Sequence, residues 1–451
     1  MSKFALLFLA IFFGGITAAF FYSATGAFVL YELVYFFNPD NRWWSASIPG
    51  LRYSLISVMV MMMALAINYR RLGSKSPWLD QPVFKWMVAI LCMYYVMYIH
   101  ALDIQSHDRF TFEFTKLVII MLIAYKLIHS ERALDAVLWG YLIGATYLGY
   151  LTTVTGRNSG NRVEGIGLVD APDSNGAAAT LVPAATLLMY YFWKGNKKVK
   201  LLCCISGAFI ANGLVLINSR GSFLGAVVGV VFYLCYMLFS RYQKEGQRAT
   251  AIMTLVLGLA GGLYVTDDTF WDRMDTLRSV ENKEQSGASR MDFWLVTFDV
   301  MKDYPMGVGI AGYQRVSANY LEESQLAKNA GVRAVHSSWF QGLAELGWPG
   351  PILFFGMMVS LYRLSSRTKN YLLQHDRTDE YFKVLAIEGA LLAFMVSATF
   401  IDRFRAEILY WMILFLAAAS NVYYLQHVNQ RQGQTNGLIR RRTLTRESRL
   451  T

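Results

Sequence analysis

An all-α, polytopic membrane helix bundle is the fold class this chain predicts, and three observations predict it. Hydrophobic residues make up 55% of the 451 residues and charged residues only 16%, against about 25% charged in an average soluble domain. The apolar residues come in blocks near the ~20-residue length that crosses a bilayer. Basic residues collect in alternate gaps between those blocks, as the positive-inside rule requires. Together these exclude a soluble enzyme, a disordered chain and a secreted disulfide scaffold. The net charge of +11 belongs to topology. The basic tail with Arg440-Arg441-Arg442 has no aromatic or folded reader beside it. Anionic membrane lipid is therefore its expected partner, and nucleic acid is not.

Candidate spans lie near 4–37, 53–69, 83–101, 113–129, 133–154, 174–193, 200–218, 221–240, 249–265, 336–362, 381–401 and 406–426. That makes about 12 transmembrane helices, or thirteen if the first block, which contains Gly14-Gly15, is two short helices. Residues 1–265 would hold transmembrane helices 1–9, 266–335 a large periplasmic segment with short helices, 336–426 transmembrane helices 10–12, and 427–451 a basic cytoplasmic tail. The N-terminus reads as a retained first span, with only Lys3 before its apolar run. One set of gaps, counting Lys3 and the tail, carries 25 of the 42 Lys and Arg; the short gaps on the opposite side carry eight. The first set is expected to be cytoplasmic. Cys92, Cys203, Cys204 and Cys235 fall inside apolar blocks without metal-ligand spacing.

The segment 266–335 breaks the alternation. It holds the acidic-aromatic run Asp267 to Asp272, a Ser286-Gly287-Ala288-Ser289 break, a helical stretch from Arg290 to about Asp303, the turn Tyr304-Pro305-Met306-Gly307 and a second polar helix near 314–329. Long loops on a rigid scaffold tend to carry function, so any chemistry is expected here and on its membrane-facing floor.

Each candidate residue has two readings. Arg220, in the turn Asn218-Ser219-Arg220-Gly221-Ser222, is an anion ligand at the N-terminus of a span or a snorkelling interface arginine. Arg157 and Arg162 sit in a glycine- and asparagine-rich loop running to Asn175-Gly176, where Ser174 or Asn175 would cap the next span; the alternative is a flexible polar loop. Arg290 is an anion ligand or stacks on Trp294 four residues on. His336 stands where the polar segment re-enters the membrane, at the head of a short interfacial helix before Pro349. It is a general base or a hydrogen-bonded interfacial histidine, and Glu345 in the same helix orients a partner or caps. Asp267, Asp268 and Asp272 lack a rigid loop and read as a solvated helix start, so no metal is expected. Asp402, Arg403 and Arg405 read as an outward turn with an Asp–Arg pair. No Gly-x-Ser-x-Gly elbow, Walker loop or His-Glu-x-x-His is present.

Four stretches, in this order, resemble the O-antigen ligase/polymerase superfamily of bacterial membrane glycosyltransferases: Arg162 through Asn175; Asn218-Ser219-Arg220-Gly221; Ser289-Arg290 with Trp294 and then Asp303-Tyr304-Pro305-Met306-Gly307-Val308-Gly309; and His336 to Gly350. The resemblance covers roughly residues 110–425. The front end, with Phe37-Asn38-Pro39 before a Trp-containing loop, is also similar to the exosortase-associated O-glycosylation ligase-like branch. The resemblance implies transfer of a whole glycan from undecaprenyl diphosphate to a hydroxyl on the periplasmic face of the bacterial inner membrane. The acceptor would be lipid A core, protein or another glycan, with inversion at the anomeric carbon and neither cofactor nor metal required. It implies Arg220 and Arg290, with Arg162 in support, as diphosphate ligands, His336 as base, and Asn175, Trp294 and Glu345 as supporting residues. Ser337, where the family often has Asn or a similar residue, leaves the acceptor contact open. Three other functions stand beside it: a polymerase of the same superfamily, which the resemblance equally implies, a lipid-linked glycan transporter, and a scaffold for an export complex, which would not need His336. The transporter predicts mid-membrane charge and internal pseudo-symmetry; the polar mass here sits instead in one asymmetric outer segment.

Overall fold

The structure, a computed structural model, describes residues 2–275, 287–321 and 334–430. Among these residues the regular secondary structure is helical, with one isolated bridge between Ser159 and Arg162. The chain opens with α1 (Lys3–Phe21), α2 (Gly26–Phe37), α3 (Tyr53–Leu72), α4 (Pro82–Val96), α5 (Ile104–Leu127) and α6 (Glu131–Thr155). It continues through α7 (Ser174–Leu181), α8 (Ala184–Lys194), α9 (Lys197–Ile217), α10 (Arg220–Phe239) and α11 (Gln247–Val265). The polar segment carries α12 (Asp268–Asp275), α13 (Gly287–Asp303) and α14 (Gly312–Val316). Then come α15 (Ser338–Leu346), α16 (Pro349–Gln374), α17 (Thr378–Ala398) and α18 (Glu407–Ser420). Ten of the helical segments are long and apolar enough to cross a membrane, the α7–α8 pair counting as one. Helices α5 and α16, of 24 and 26 residues, match them in length but carry charged turns.

The first apolar block is two helices running in opposite directions. Ser2 caps α1 by accepting the Ala5 N–H at 3.1 Å. The helix passes straight through Gly14-Gly15 and ends at Phe21; the reversal uses Tyr22 to Thr25. The start of α1 packs Phe4 on Trp43 and on Tyr150 at the end of α6, whereas Thr25 Oγ1 donates to Leu127 O at the end of α5 (2.8 Å). Helices α1 and α2 therefore run antiparallel, and Lys3 lies at the end of the bundle where α6 finishes, opposite to the end where α5 finishes and where the charge pattern assigned it. Moving that one residue leaves the asymmetry of basic residues nearly intact.

Small residues set the closest helix contacts. Gly140 and Gly144 of α6, one turn apart, receive Glu32 and Phe36 of α2; a Cβ on Gly144 would stand 2.0 Å from the Phe36 ring. Gly225 and Gly229 of α10 receive Ser397 and Ala393 of α17. Helix α18 is buried along nearly its whole length and forms the centre of the bundle, with Trp411 packed edge-on against Phe28 and Tyr31. Ion pairs close the end away from the polar segment: Lys194 and Lys244 on Asp379, Lys383 on Asp135, Arg377 on Glu131.

The polar segment has a small core of its own, built from Phe293, Val300 and Met301 of α13, Tyr313 of α14, and Leu343 and Ala344 of α15. The turn after α13 finishes α15. Val308 N–H donates to Ala344 O (2.9 Å) and Gly309 N–H to Glu345 O (3.1 Å), satisfying carbonyls that a helix end leaves open. The positive φ of Gly347 (63°) and Gly307 (95°) permits this approach; a Cβ on Gly347 would meet Pro305 O at 2.3 Å. Within the second polar helix expected near 314–329, α14 ends at Val316 and one 3-10 turn runs to Asn319. Part of that stretch, the Ser286 position of the Gly/Ser break and the tail from Arg431 lie outside the described residues.

Candidate functional site

The turn between α17 and α18, residues 399–406, is the hub of the site. Ser338 Oγ donates to Ile401 O (2.7 Å) and accepts the Arg403 N–H (2.9 Å). Trp339 Nε1 donates to Thr399 Oγ1 (3.0 Å), and Gln341 Oε1 accepts the Phe404 N–H (3.1 Å). Three successive faces of the first turns of α15 thus hold the hub, and the residue just before α15 is delivered beside Asp402. Ser337 N–H donates to Asp402 Oδ1 (3.1 Å), and His336 Nδ1 lies 3.9 Å from Asp402 Oδ2. His336 has φ 56°, a left-handed conformation that a non-glycine residue adopts at some cost. Its imidazole is 44% exposed. Trp294 stacks on Phe340 at 5.5 Å and donates Nε1–H to Val335 O (3.2 Å). It therefore braces the backbone leading into His336. Burial raises the Asp402 carboxyl above its ordinary range, and His336 and Arg403 act in the opposite sense.

Arginines converge on the same hub. Arg290 Nη1 donates to Phe400 O (3.3 Å). Arg220 is the first residue of α10, where backbone N–H groups and the helix dipole favour an anion. Gly221 lets that N-terminus sit against Phe400, since a Cβ there would be 2.9 Å from the Phe400 side chain. Arg162 is oriented from two sides: Nε donates to Ile217 O at the end of α9 (3.2 Å) and Nη2 to Asn175 Oδ1 (2.7 Å). A fourth arginine, Arg273 of α12, joins them. Its pKa is lowered by burial and then by Arg162, Arg220 and Arg290. Arg290 is lowered by burial first, then by Arg220 and Arg162, with Asp402 opposing. Arg162 and Arg220 thus lie near enough to act on both Arg273 and Arg290. A polyanion bound among them would relieve their repulsion and be gripped by planar forks suited to phosphate oxygens.

The sequence-predicted residues Arg162, Asn175, Arg220, Arg290, Trp294 and His336 are brought to this end of the bundle. Glu345 is engaged elsewhere. It is buried, accepts from Tyr94 (2.8 Å) and Gln341 (2.9 Å), and pairs with Arg405. It ties α15 to α4 and to the hub. Asp173, rather than Ser174 or Asn175, caps α7 by accepting the Gly176 N–H (3.0 Å). Arg403 pairs with Asp173 and lies against Gly176, where a Cβ would meet its guanidinium at 2.8 Å. Asp267 caps the start of α12 and is held by both Nη groups of Arg157. Among the described residues no group of three or more His, Cys, Asp and Glu is placed to hold a metal ion. His107 is a satisfied core histidine: its Nδ1 accepts the Ile310 N–H (3.1 Å), so Nε2 carries the proton given to Tyr94 O (2.8 Å). Sequence reasoning missed Asp402 and Arg273. In the structure Arg273 follows the buried Phe270 by three residues and so shares its helix face, a placement that the acidic run around it does not signal.

Residues 205–355 match a family model described as O-antigen ligase. The match takes in Arg220, Arg273, Arg290 and His336, and it bears out the resemblance to the O-antigen ligase/polymerase superfamily. No curated protein matches the chain.

Proposed function

We propose that this O-antigen ligase/polymerase-type membrane enzyme transfers a glycan from undecaprenyl diphosphate to an acceptor hydroxyl, with inversion and without a metal. The observation that carries the proposal is the placing of the His336–Asp402 pair and of Arg290 on one interhelical turn, with Arg220 beside it at the head of α10. A lipid-linked glycan presents a diphosphate that is charged in the ground state and gains charge as the glycosidic C–O bond breaks. Arg220 and Arg290, with Arg162 held in place by Asn175, would bind that diphosphate and stabilise it more strongly in the transition state. His336 would take the proton of the acceptor hydroxyl as its oxygen attacks the anomeric carbon from the face opposite the diphosphate. The imidazolium so formed would be stabilised by Asp402. The proton then passes to solvent from the exposed imidazole, and polyprenyl diphosphate is the second product.

In this reading residues 1–265 and 336–426 are the membrane helices of a bacterial inner-membrane protein. Residues 266–335 and the hub face the periplasm, and the tail from 427 is cytoplasmic. Lipid A core, protein and glycan are the candidate acceptors. Deleting the gene and analysing surface glycans tests the proposal. Loss of ligated polymer with accumulation of lipid-linked polymer identifies a ligase. Accumulation of single lipid-linked repeats identifies a polymerase using the same donor site. Unchanged surface and lipid-linked glycans would overturn the proposal.

A further inference from the structure

We infer that α13 is an interfacial helix: its outer face, Met291, Leu295 and Phe298, is covered by the acyl chains of the membrane leaflet at the hub end of the bundle. The inference goes beyond the donor reading above and does not depend on it.

Residues three and four apart share a helix face. On α13 that spacing makes two apolar faces. The inner one carries Phe293, Val296 and Val300 into the small core shared with α15. The outer one carries Met291 (58% exposed), Leu295 (60%) and Phe298 (41%), over two turns or about 10 Å of helix. Scattered exposed apolar residues are ordinary, but a continuous stripe of large ones marks a contact surface. Lys302 follows Phe298 by one turn on the same line, exposed and paired with Asp299 at 2.6 Å. It ends the stripe with a charge whose stem can lie along apolar surface while its head stays with lipid headgroups.

What covers the stripe follows from where it leads. Phe298 stacks on Trp348 with ring centroids 6.2 Å apart, and the Trp348 N–H donates to Pro305 O (3.2 Å). Trp348 is itself exposed, and it stands one turn before Ile352 (64% exposed) and two before Phe355 (70%) on one face of α16. That face belongs to the bilayer. Residues 349–362 contain no charged side chain, and Gly356 is seated against Trp86 of α4, in a segment long and apolar enough to cross a membrane. The outward stripe of α16 therefore turns at Trp348 onto α13 without a polar break. A tryptophan at that bend sits where membrane interfaces favour one. A helix lying in that plane buries its apolar face about 5–10 Å deep. A soluble partner or a second copy would have to cover α13 and stop at Trp348, whereas the bilayer on α16 covers both. Arg290 begins the same stretch of α13 and holds Phe400 O of the hub, so one helix joins the leaflet to the site.

The test places the photoreactive amino acid p-benzoylphenylalanine at Met291, Leu295, Phe298, Phe355 or Asn319 of the full-length chain, one position at a time. Each purified protein is set in nanodiscs of phosphatidylethanolamine and phosphatidylglycerol, irradiated and analysed by mass. The three α13 positions should give phospholipid adducts at a yield like that of Phe355. Asn319, exposed on the turn after α14, should give none. A second set keeps the photoreactive group at Met291 and changes Leu295, with thermal stability measured alongside. Leu295→Glu should lower the Met291 adduct severalfold, and Leu295→Met should leave it unchanged. Crosslinks to a second copy, or to residues 322–333 of the same chain, in place of lipid would overturn the inference. So would the absence of any adduct at the three α13 positions while Phe355 gives one, because the stripe would then face water. Lipid adducts equally strong at Asn319, or unaffected by Leu295→Glu, would overturn it too, and a Phe355 position without lipid adduct would remove the continuity on which it rests.

Discussion

Replacing Asp402 by asparagine perturbs the site at one point with little change of shape. Asn keeps an oxygen to accept the Ser337 N–H, now at 3.1 Å, and removes the charge 3.9 Å from His336 Nδ1. Two unit charges at that distance interact by about 4 kcal/mol at an effective dielectric of 20. His336 is 44% exposed, so solvent screening reduces the benefit to about 1–2 kcal/mol. That benefit appears only when His336 becomes imidazolium, so it belongs to the transition state. Asp402→Asn should therefore lower kcat/KM by about 10-fold, less than the ~10²–10⁴ expected for His336→Ala. Donor affinity should change little. Asp402→Ala should also lose stability, because the buried Ser337 N–H then has no acceptor, at about 1–3 kcal/mol. The assay is transfer from a lipid-linked glycan by purified protein, run for both single variants and the double variant. In the double variant Asp402→Asn should add almost nothing to His336→Ala, because both act through one imidazole. A full additional 10-fold loss in the His336→Ala background would refute the coupling.

Arg220→Ala and Arg290→Ala should each weaken binding of a polyprenyl-diphosphate analogue, Lys should rescue only in part for want of a bidentate fork, and the double variant should be less than additive; unchanged affinity in both alanine variants would end the diphosphate assignment. Because burial raises the folded-state carboxyl of Asp402, its contribution to stability is fully present below the unfolded pKa near ~4 and is lost as pH rises through the folded value. Thermal melts should show wild type losing stability relative to Asp402→Asn over that window, while activity runs the other way and falls as Asp402 takes up its proton. Gly144→Leu should destabilise the α2–α6 contact by about 1–3 kcal/mol or more, since even a Cβ meets Phe36 at 2.0 Å, and reduced protein yield with a lower melting temperature is the readout. Cysteines placed at Ser2 and Asn319 should react with an impermeant thiol reagent from the periplasmic side and those at Ser240 and Asn370 should not; Ser2 distinguishes thirteen passes from twelve.

What could be read from the sequence followed from hydropathy, charge alternation and turn chemistry. The apolar blocks located the long helices. Pro349 marked the separation of α15 from α16, and the Asn218-Ser219-Arg220 turn emerged as the start of α10. The first block misled because Gly14-Gly15 looked like the break, while the real reversal at Tyr22 to Thr25 contains neither glycine nor proline. With no such signal there, the side on which Lys3 lies was also lost. Asp402 looked like the partner of an adjacent arginine. In the folded chain Arg403 turns to Asp173 and Arg405 to Glu345, partners 230 and 60 residues away that no local pattern discloses. Arg273 was hidden in an acidic run that reads as a solvated helix start. Its neighbours among the other arginines come from α10, α13 and the loop after α6, and only the tertiary fold brings these together.

The central claim is a chemical one: the glycan leaves its lipid diphosphate and joins a hydroxyl at His336. The most direct measurement reconstitutes the purified chain with a polyprenyl-diphosphate-linked glycan and an acceptor, with chelator present, and counts both products. The account predicts one polyprenyl diphosphate released for each glycan transferred, with inverted anomeric configuration, and loss of both products together in His336→Ala. Movement of intact lipid-linked glycan across the bilayer with no diphosphate released, or undiminished transfer by His336→Ala, would contradict it.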